Sequence, residues 1–197
     1  MNRLPVFHSV LTIAVASSCA LFALPASAAD DPVKRGEYLI NTSGCHDCHT
    51  PWIMGKEHPE PDMTRALSGH PADMKMPPPP KLPDGPWIML GAASNTAWAG
   101  PWGVSYTANL TPDKDTGLGE WTERNFFDAI RTGRHMGKGR PILPPMPIQV
   151  YKNYTDADLS AVFAYLRSIK PIKNEVPDPL PPEGAAPPAG AKPAGSK

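Results

Sequence analysis

The chain runs to 197 residues with 27 prolines, and its 19 basic side chains are matched by 19 acidic ones. That length suits one ordinary domain with extensions, and proline at this density leaves only a compact regular core, because it breaks helix interiors and central strands. The balanced charge, with Arg3 the only formally charged residue before Asp30, provides no basic field and argues against nucleic-acid binding.

Residues 1–28 read as a secretory signal peptide. Arg3 opens it, Val10 to Leu24 is almost uninterrupted apolar or small residues, and Ala26-Ser27-Ala28 supplies a small-residue cleavage site, so the mature chain is expected to begin at Ala29. The apolar run ends at Pro25, too short for a comfortable membrane crossing, and no stable span is expected after cleavage. Cys19 is read as a plain leader cysteine, since Ala16-Ser17-Ser18 lacks a bulky apolar residue. The segment predicts export to the periplasm.

From Asp31 to Ser43 a short amphipathic helix is predicted, with Pro32 at its first position and Val33, Tyr38, Leu39 and Ile40 as apolar residues. Gly36 in its middle is either a point of close crossing by another helix or a tolerated glycine. The helix leads into Cys45-His46-Asp47-Cys48-His49. This spacing sets the two thiols about one helical turn apart, so that both can reach the vinyl groups on one porphyrin edge, with His49 following as an iron ligand. One covalently attached haem c is predicted, with Cys45 and Cys48 as thioether anchors and His49 as proximal ligand; His46 is a spacer pointing away from the iron. A disulfide or redox thiol pair and a structural zinc site are the competing readings. The following His49 argues against both; a thioredoxin-like pair needs a surrounding βαβ pattern and a zinc site a further Cys or His pair at short spacing, and neither is visible.

Residues 52–101 carry many Pro and Gly, including Pro77 to Pro80, and no sustained helical or alternating period. They are predicted to form a long proline-rich loop insertion, packed through Trp52, Trp87, Trp98 and Trp102, which either line a haem crevice or pin the loop to the surface. Tyr106 to Gly119 is turn-rich, and Asp113, Asp115 and Glu120 miss the spacing of a calcium loop, reading instead as a solvated acidic turn. Helices are predicted over Thr122 to Thr132, ended by Gly133, and over Asp156 to Ile169, capped by Thr155 and stopped by Pro171. Leu159, Val162, Phe163 and Leu166 stripe the latter, and the helix before Cys45 is its expected partner. Residues 174–197, almost devoid of large apolar side chains, are expected to be a disordered tail behind a domain spanning 29–173.

Haem iron has a second axial position, for which methionine and histidine are the candidates. Met146 lies in Leu143-Pro144-Pro145-Met146-Pro147, where prolines fix the backbone on both sides, and it is the preferred distal ligand. Met136 and His135 are its rivals, although the basic run around them could instead pair with haem propionates. His58 and His70, each followed by proline, read as surface residues, and Met54 is too near His49 in sequence. Met63, Met74, Met76 and Met89 carry no distinguishing signal.

Together these residues resemble the class I c-type cytochromes, in which an N-terminal helix bearing Cys-x-x-Cys-His is crossed by a C-terminal helix. Gly36 to Ile40 matches the first partner and Leu159 to Leu166 the second. The stretch from Tyr106 to Ile169, with Asn109-Leu110-Thr111-Pro112-Asp113, Thr116-Gly117, Trp121 and Pro145-Met146-Pro147, is similar to exported bacterial cytochromes related to the haem subunits of dehydrogenases. The resemblance implies an all-α, cytochrome c-like helical domain and makes Met146 the distal ligand. This chain differs by its insertion and by having a single haem motif. The leading expectation is a monohaem carrier of single electrons in the periplasm, not an enzyme, serving redox partner proteins such as a dehydrogenase, an oxidase or another cytochrome. The alternatives are a haem subunit docked to a dehydrogenase or oxidase, and a haem enzyme or gas sensor with an open sixth site.

Overall fold

The computed structural model describes residues 31–82, 84–182 and Gly184. The leader expected over 1–28 lies outside the described residues, as does most of the tail beyond 182.

Helix α1 (Pro32–Thr42) begins where Asp31 Oδ1 accepts the Val33 amide at 3.0 Å, with Pro32 in the first turn, where no amide hydrogen is needed. It ends at Ser43, and Gly44, at φ +72°, swings the chain into α2 (Cys45–His49). Helix α3 (Glu123–Thr132) is opened by a reciprocal cap between Thr122 and Asn125 and closed by left-handed Gly133. After the single turn α4 (Ile148–Tyr151), the Thr155 hydroxyl accepts the Asp158 amide at 3.0 Å and starts α5 (Asp156–Ser168). The three longer helices carry the boundaries that the sequence predicts, to within a residue or so.

Helices α1 and α5 cross at Gly36. A Cβ there would stand 2.0 Å from the Ala161 carbonyl oxygen and 2.7 Å from Tyr165 Cβ, so the crossing depends on a missing side chain. An ion pair from Arg35 to Asp158 (2.9 Å) ties the same two helices at the surface. Phe126 of α3 stacks on Phe163 of α5, ring centroids 5.4 Å apart. Leu39, Ile40, Phe126, Ile130, Leu159, Val162 and Leu166 form the core, joined by Leu67 and Leu118 from outside the helices.

The expectation of an all-α domain is overturned. Beside five short helices, the described residues contain two small antiparallel sheets. One is the hairpin of β1 (Trp52–Met54) with β2 (Pro59–Pro61), and the other is the meander of β3 (Leu90–Gly91), β4 (Ala97–Gly100) and β5 (Gly103–Tyr106). These strands are two to four residues long, too short to display an alternating apolar pattern. The region is anchored to the helical core through Leu67, whose amide donates to Thr50 Oγ1 and whose carbonyl accepts the Leu110 amide, both at 2.9 Å.

Residues 174–182, assigned by composition to the disordered tail, are held against the rest of the chain. Asn174 Nδ2 donates to the Ser68 and His70 carbonyls (2.7 and 2.9 Å) and its Oδ1 accepts the Ala72 amide (2.8 Å). Leu180 exchanges two backbone hydrogen bonds of 2.9 Å with Val104 of β5. One amide side chain and one backbone pair do here what apolar burial does elsewhere. Among the described residues no helix is long and apolar enough to cross a membrane.

Candidate functional site

The one-turn helix α2 places Cys45 and Cys48 on the wall of a cavity of about 430 Å³, together with His49. The remaining lining is mainly apolar, from Leu39 and Ile40 of α1, Phe126 and Ile130 of α3, and Leu159 and Val162 of α5. Met146 lines the same cavity, flanked by Pro145 and Pro147, so the four residues singled out in the sequence share one space. Glu175 to Pro179 also line it.

His49 is buried, and its Nδ1–H donates to the Ala108 carbonyl at 2.8 Å. Because a carbonyl only accepts, this bond fixes the proton on Nδ1 and leaves Nε2 as a free lone pair. Burial holds the imidazole below its ordinary pKa, with the Ala108 bond opposing, so the ring is a neutral donor suited to a metal. The Gly69 amide in turn donates to the His49 carbonyl (2.8 Å). The two thiols are not bridged. Burial, followed by Asp47 and Cys48, pushes the Cys45 thiol up to about 11, and burial followed by Asp47 raises Cys48 as well. Thiol–disulfide exchange needs a lowered attacking thiol, so this environment points away from a redox pair.

Among the alternative iron ligands named from the sequence, His135 lines the cavity and Met136 does not. His135 sets its ring edge-on to Trp121, centroids 5.0 Å apart, and burial followed by Arg140 lowers its pKa. The expected surface position of His70 is incorrect. It is wholly buried, with Nδ1 against Thr96 Oγ1 (2.9 Å) and Nε2–H donating to the Met74 carbonyl (3.2 Å), away from the cavity. None of Trp52, Trp87, Trp98 and Trp102 lines the cavity; Trp121 does, and Trp87 is 73% exposed. His46 Nδ1 shares a hydrogen bond with Thr50 Oγ1 (2.8 Å). Sequence reasoning missed Ala108, whose role is played by a backbone carbonyl that no side-chain pattern reports. It also missed Tyr151 and Tyr154, which line the cavity near the thiols; burial raises the Tyr151 phenol far above its ordinary value, with Cys45 the next cause.

A mainly apolar cavity that carries the Cys45 and Cys48 thiols, the His49 imidazole and the Met146 thioether fits a c-type haem, with His135 as a second imidazole on the same wall. Thr107 supplies a further fit: its hydroxyl is buried in the cavity wall with no hydrogen-bond partner among the described residues, a polar atom that a propionate can satisfy.

No family model matches the sequence. The chain is nonetheless similar to cytochrome subunits of bacterial dehydrogenases. It is 29% identical over 162 residues to the fructose dehydrogenase cytochrome subunit of Gluconobacter japonicus, a match covering 79% of this chain and 26% of that one. It is 28% identical over 149 residues to the cytochrome c subunit of a quinone alcohol dehydrogenase from Gluconobacter oxydans, covering 74% of this chain and 24% of the relative. A shorter match, 39% identical over 85 residues, reaches a nicotinate dehydrogenase subunit of Pseudomonas putida and covers 43% of this chain but 7% of that protein. The chain thus spans about a quarter of the length of the cytochrome subunits it matches.

Proposed function

We propose that the chain is an electron-transfer cytochrome that works with a dehydrogenase, carrying one haem c bound through Cys45 and Cys48, with His49 and Met146 as its axial ligands. The observation that carries this reading is the convergence of both thiols, the tautomer-fixed imidazole and the proline-held thioether on a single apolar cavity. Similarity to dehydrogenase cytochrome subunits supports the dehydrogenase partner over a free carrier. Substrate conversion belongs to that partner. The leader-like first 28 residues support maturation and action in the periplasm.

Haem held here supplies a one-electron ferric/ferrous couple. The Ala108 carbonyl keeps the His49 proton on Nδ1 and orients the ring. His49 and Met146 would hold the iron of a haem bound here, the soft Met146 sulfur would favour its reduced state, and the group would then supply outer-sphere electron transfer. The apolar side chains of α1, α3 and α5 exclude water, which lowers the reorganisation that accompanies a change of charge.

The test is spectroscopic. Haem is expected to stay with the denatured chain, and to be lost from it in Cys45→Ser/Cys48→Ser. The ferric protein should show a Met-to-iron charge-transfer band that Met146→Ala abolishes, and the ferrous protein should not take up CO without denaturant. A band that survives Met146→Ala overturns the distal assignment, and ready CO binding overturns the closed site.

A further inference from the structure

Met146 belongs to a segment that is gripped at both ends. Upstream, the buried Ser105 hydroxyl of β5 donates to the Pro144 carbonyl at 2.6 Å, two residues before the methionine. Downstream, the Tyr151 phenol donates to the Ser43 carbonyl at 2.6 Å, and the Tyr154 phenol shares a 2.5 Å hydrogen bond with Ser43 Oγ. The two tyrosine rings meet edge to face with centroids 5.6 Å apart, so each limits the other's movement. Ser43 caps α1 and stands two residues before Cys45. The grip therefore joins the methionine segment directly to the segment that bears the thiols, at one edge of the cavity that both tyrosines line. Between the two ends the chain is short and stiff: the Met146 carbonyl accepts the Ile148 amide (2.9 Å) at the start of α4, and Pro147 stands between them.

From this arrangement we infer that Ser105, Tyr151 and Tyr154 are positioning residues for the distal ligand, a two-ended clamp that keeps the Met146 thioether in the cavity and keeps external ligands out. The inference rests on the assignment of Met146 to iron. None of the three acts on the iron itself. Their hydroxyls restrict the backbone on either side of the methionine, so removing one increases the fraction of molecules in which Met146 has swung away. An open fraction raised in this way appears directly as stronger apparent binding of a competing ligand, because the competitor binds only the open form.

The experiment titrates haem-loaded protein with imidazole (ferric) and CO (ferrous), comparing the wild type with Tyr151→Phe, Tyr154→Phe, Ser105→Ala and the double Tyr→Phe variant. Each single loss of a hydroxyl should raise apparent imidazole affinity roughly five- to tenfold, and the double variant more, while the charge-transfer band at neutral pH remains. Ser105→Thr, which keeps a hydroxyl, should fall nearer the wild type than Ser105→Ala, and Tyr38→Phe, at an exposed position on α1, should not differ from it. Should the double variant fail to load haem, the single variants decide the matter. Ligand affinities within twofold of wild type across Tyr151→Phe, Tyr154→Phe and Ser105→Ala, even with lowered melting temperatures, overturn the clamp. Loss of the band in Met146→Ala together with that result would leave the methionine ligand standing without its clamp; a band that persists in Met146→Ala removes both.

Discussion

The helical half of the molecule and the region over residues 51–106, which contains the insertion, reach order by opposite routes. In α1, α3 and α5 most of the buried core is apolar and the determining contacts run between side chains, as at Phe126 on Phe163. In the insertion, Trp87 and Ile88 are 73% and 65% exposed while His70 and Thr96 are completely buried. There the chain is held by backbone bonds, such as the Asp62 amide to the Pro51 carbonyl (2.8 Å) and the Trp52 amide to the Ser94 carbonyl (2.9 Å). The difference teaches that absence of a hydrophobic period does not mean absence of structure. It means that much of the segment's order comes from backbone hydrogen bonds, and its stability should respond to a different set of substitutions.

The largest expected effect lies in the helical half. Gly36→Val would force α1 away from the Ala161 carbonyl, a backbone atom that has no rotamer to change, and should destabilise by about 3 kcal/mol or more. Urea unfolding followed by circular dichroism measures it; a loss under about 1 kcal/mol would mean the crossing adjusts freely. The corresponding break in the polar half is Asn174→Ala. It removes three hydrogen bonds that join the 68–72 turn to the chain after α5, and about 2 kcal/mol is expected. If the two halves form one cooperative unit, both variants should shift a single transition; separate transitions would split the comparison into two folding units.

Much of the helical half was legible because its signals are local. Thr122 and Thr155 sit where caps are needed, Gly133 ends α3, and the stripe Leu159, Val162, Phe163, Leu166 marks the face of α5. Proline on both sides drew attention to Met146, and the spacing of Cys45, Cys48 and His49 named its own chemistry. What stayed hidden acts at long range or through the backbone. His70 is buried because Thr96, Tyr106 and Asn174 surround it, and all three are far along the chain. Ala108 contributes only a carbonyl, and α4 is a single turn in which no period can develop. The sheets escaped for the same reason, since two to four residues per strand carry no alternation. Tryptophan was a poor guide, as the four considered for the cavity wall lie elsewhere.

A smaller effect sharpens the contrast within the helical half. Thr155→Ala removes the cap of α5 and should cost about 1 kcal/mol, read as a lower urea midpoint with an unchanged slope. Because Thr155 carries no titratable proton, that loss should be nearly the same at pH 7 and pH 5.

The smallest effect separates the halves by pH. Burial holds the His70 imidazole below its ordinary value of 6.5, with the Met74 carbonyl and Asp73 pulling the other way. Between that ordinary value and the lowered one, the unfolded chain binds a proton at this residue that the folded chain refuses. Stability contributed by neutral His70 is therefore present above about pH 6.5 and is lost as the pH falls through that window. Acidification from pH 7 to pH 5 should lower the melting temperature of the wild type, and His70→Asn should show a shallower fall. Some slope should remain in the variant, because His135 and His46 are also lowered by burial. Thr155→Ala should run parallel to the wild type over the same range. Melting curves at four or five pH values would decide it: a His70→Asn line as steep as the wild type would remove His70 as the acid-sensitive element of the inserted half.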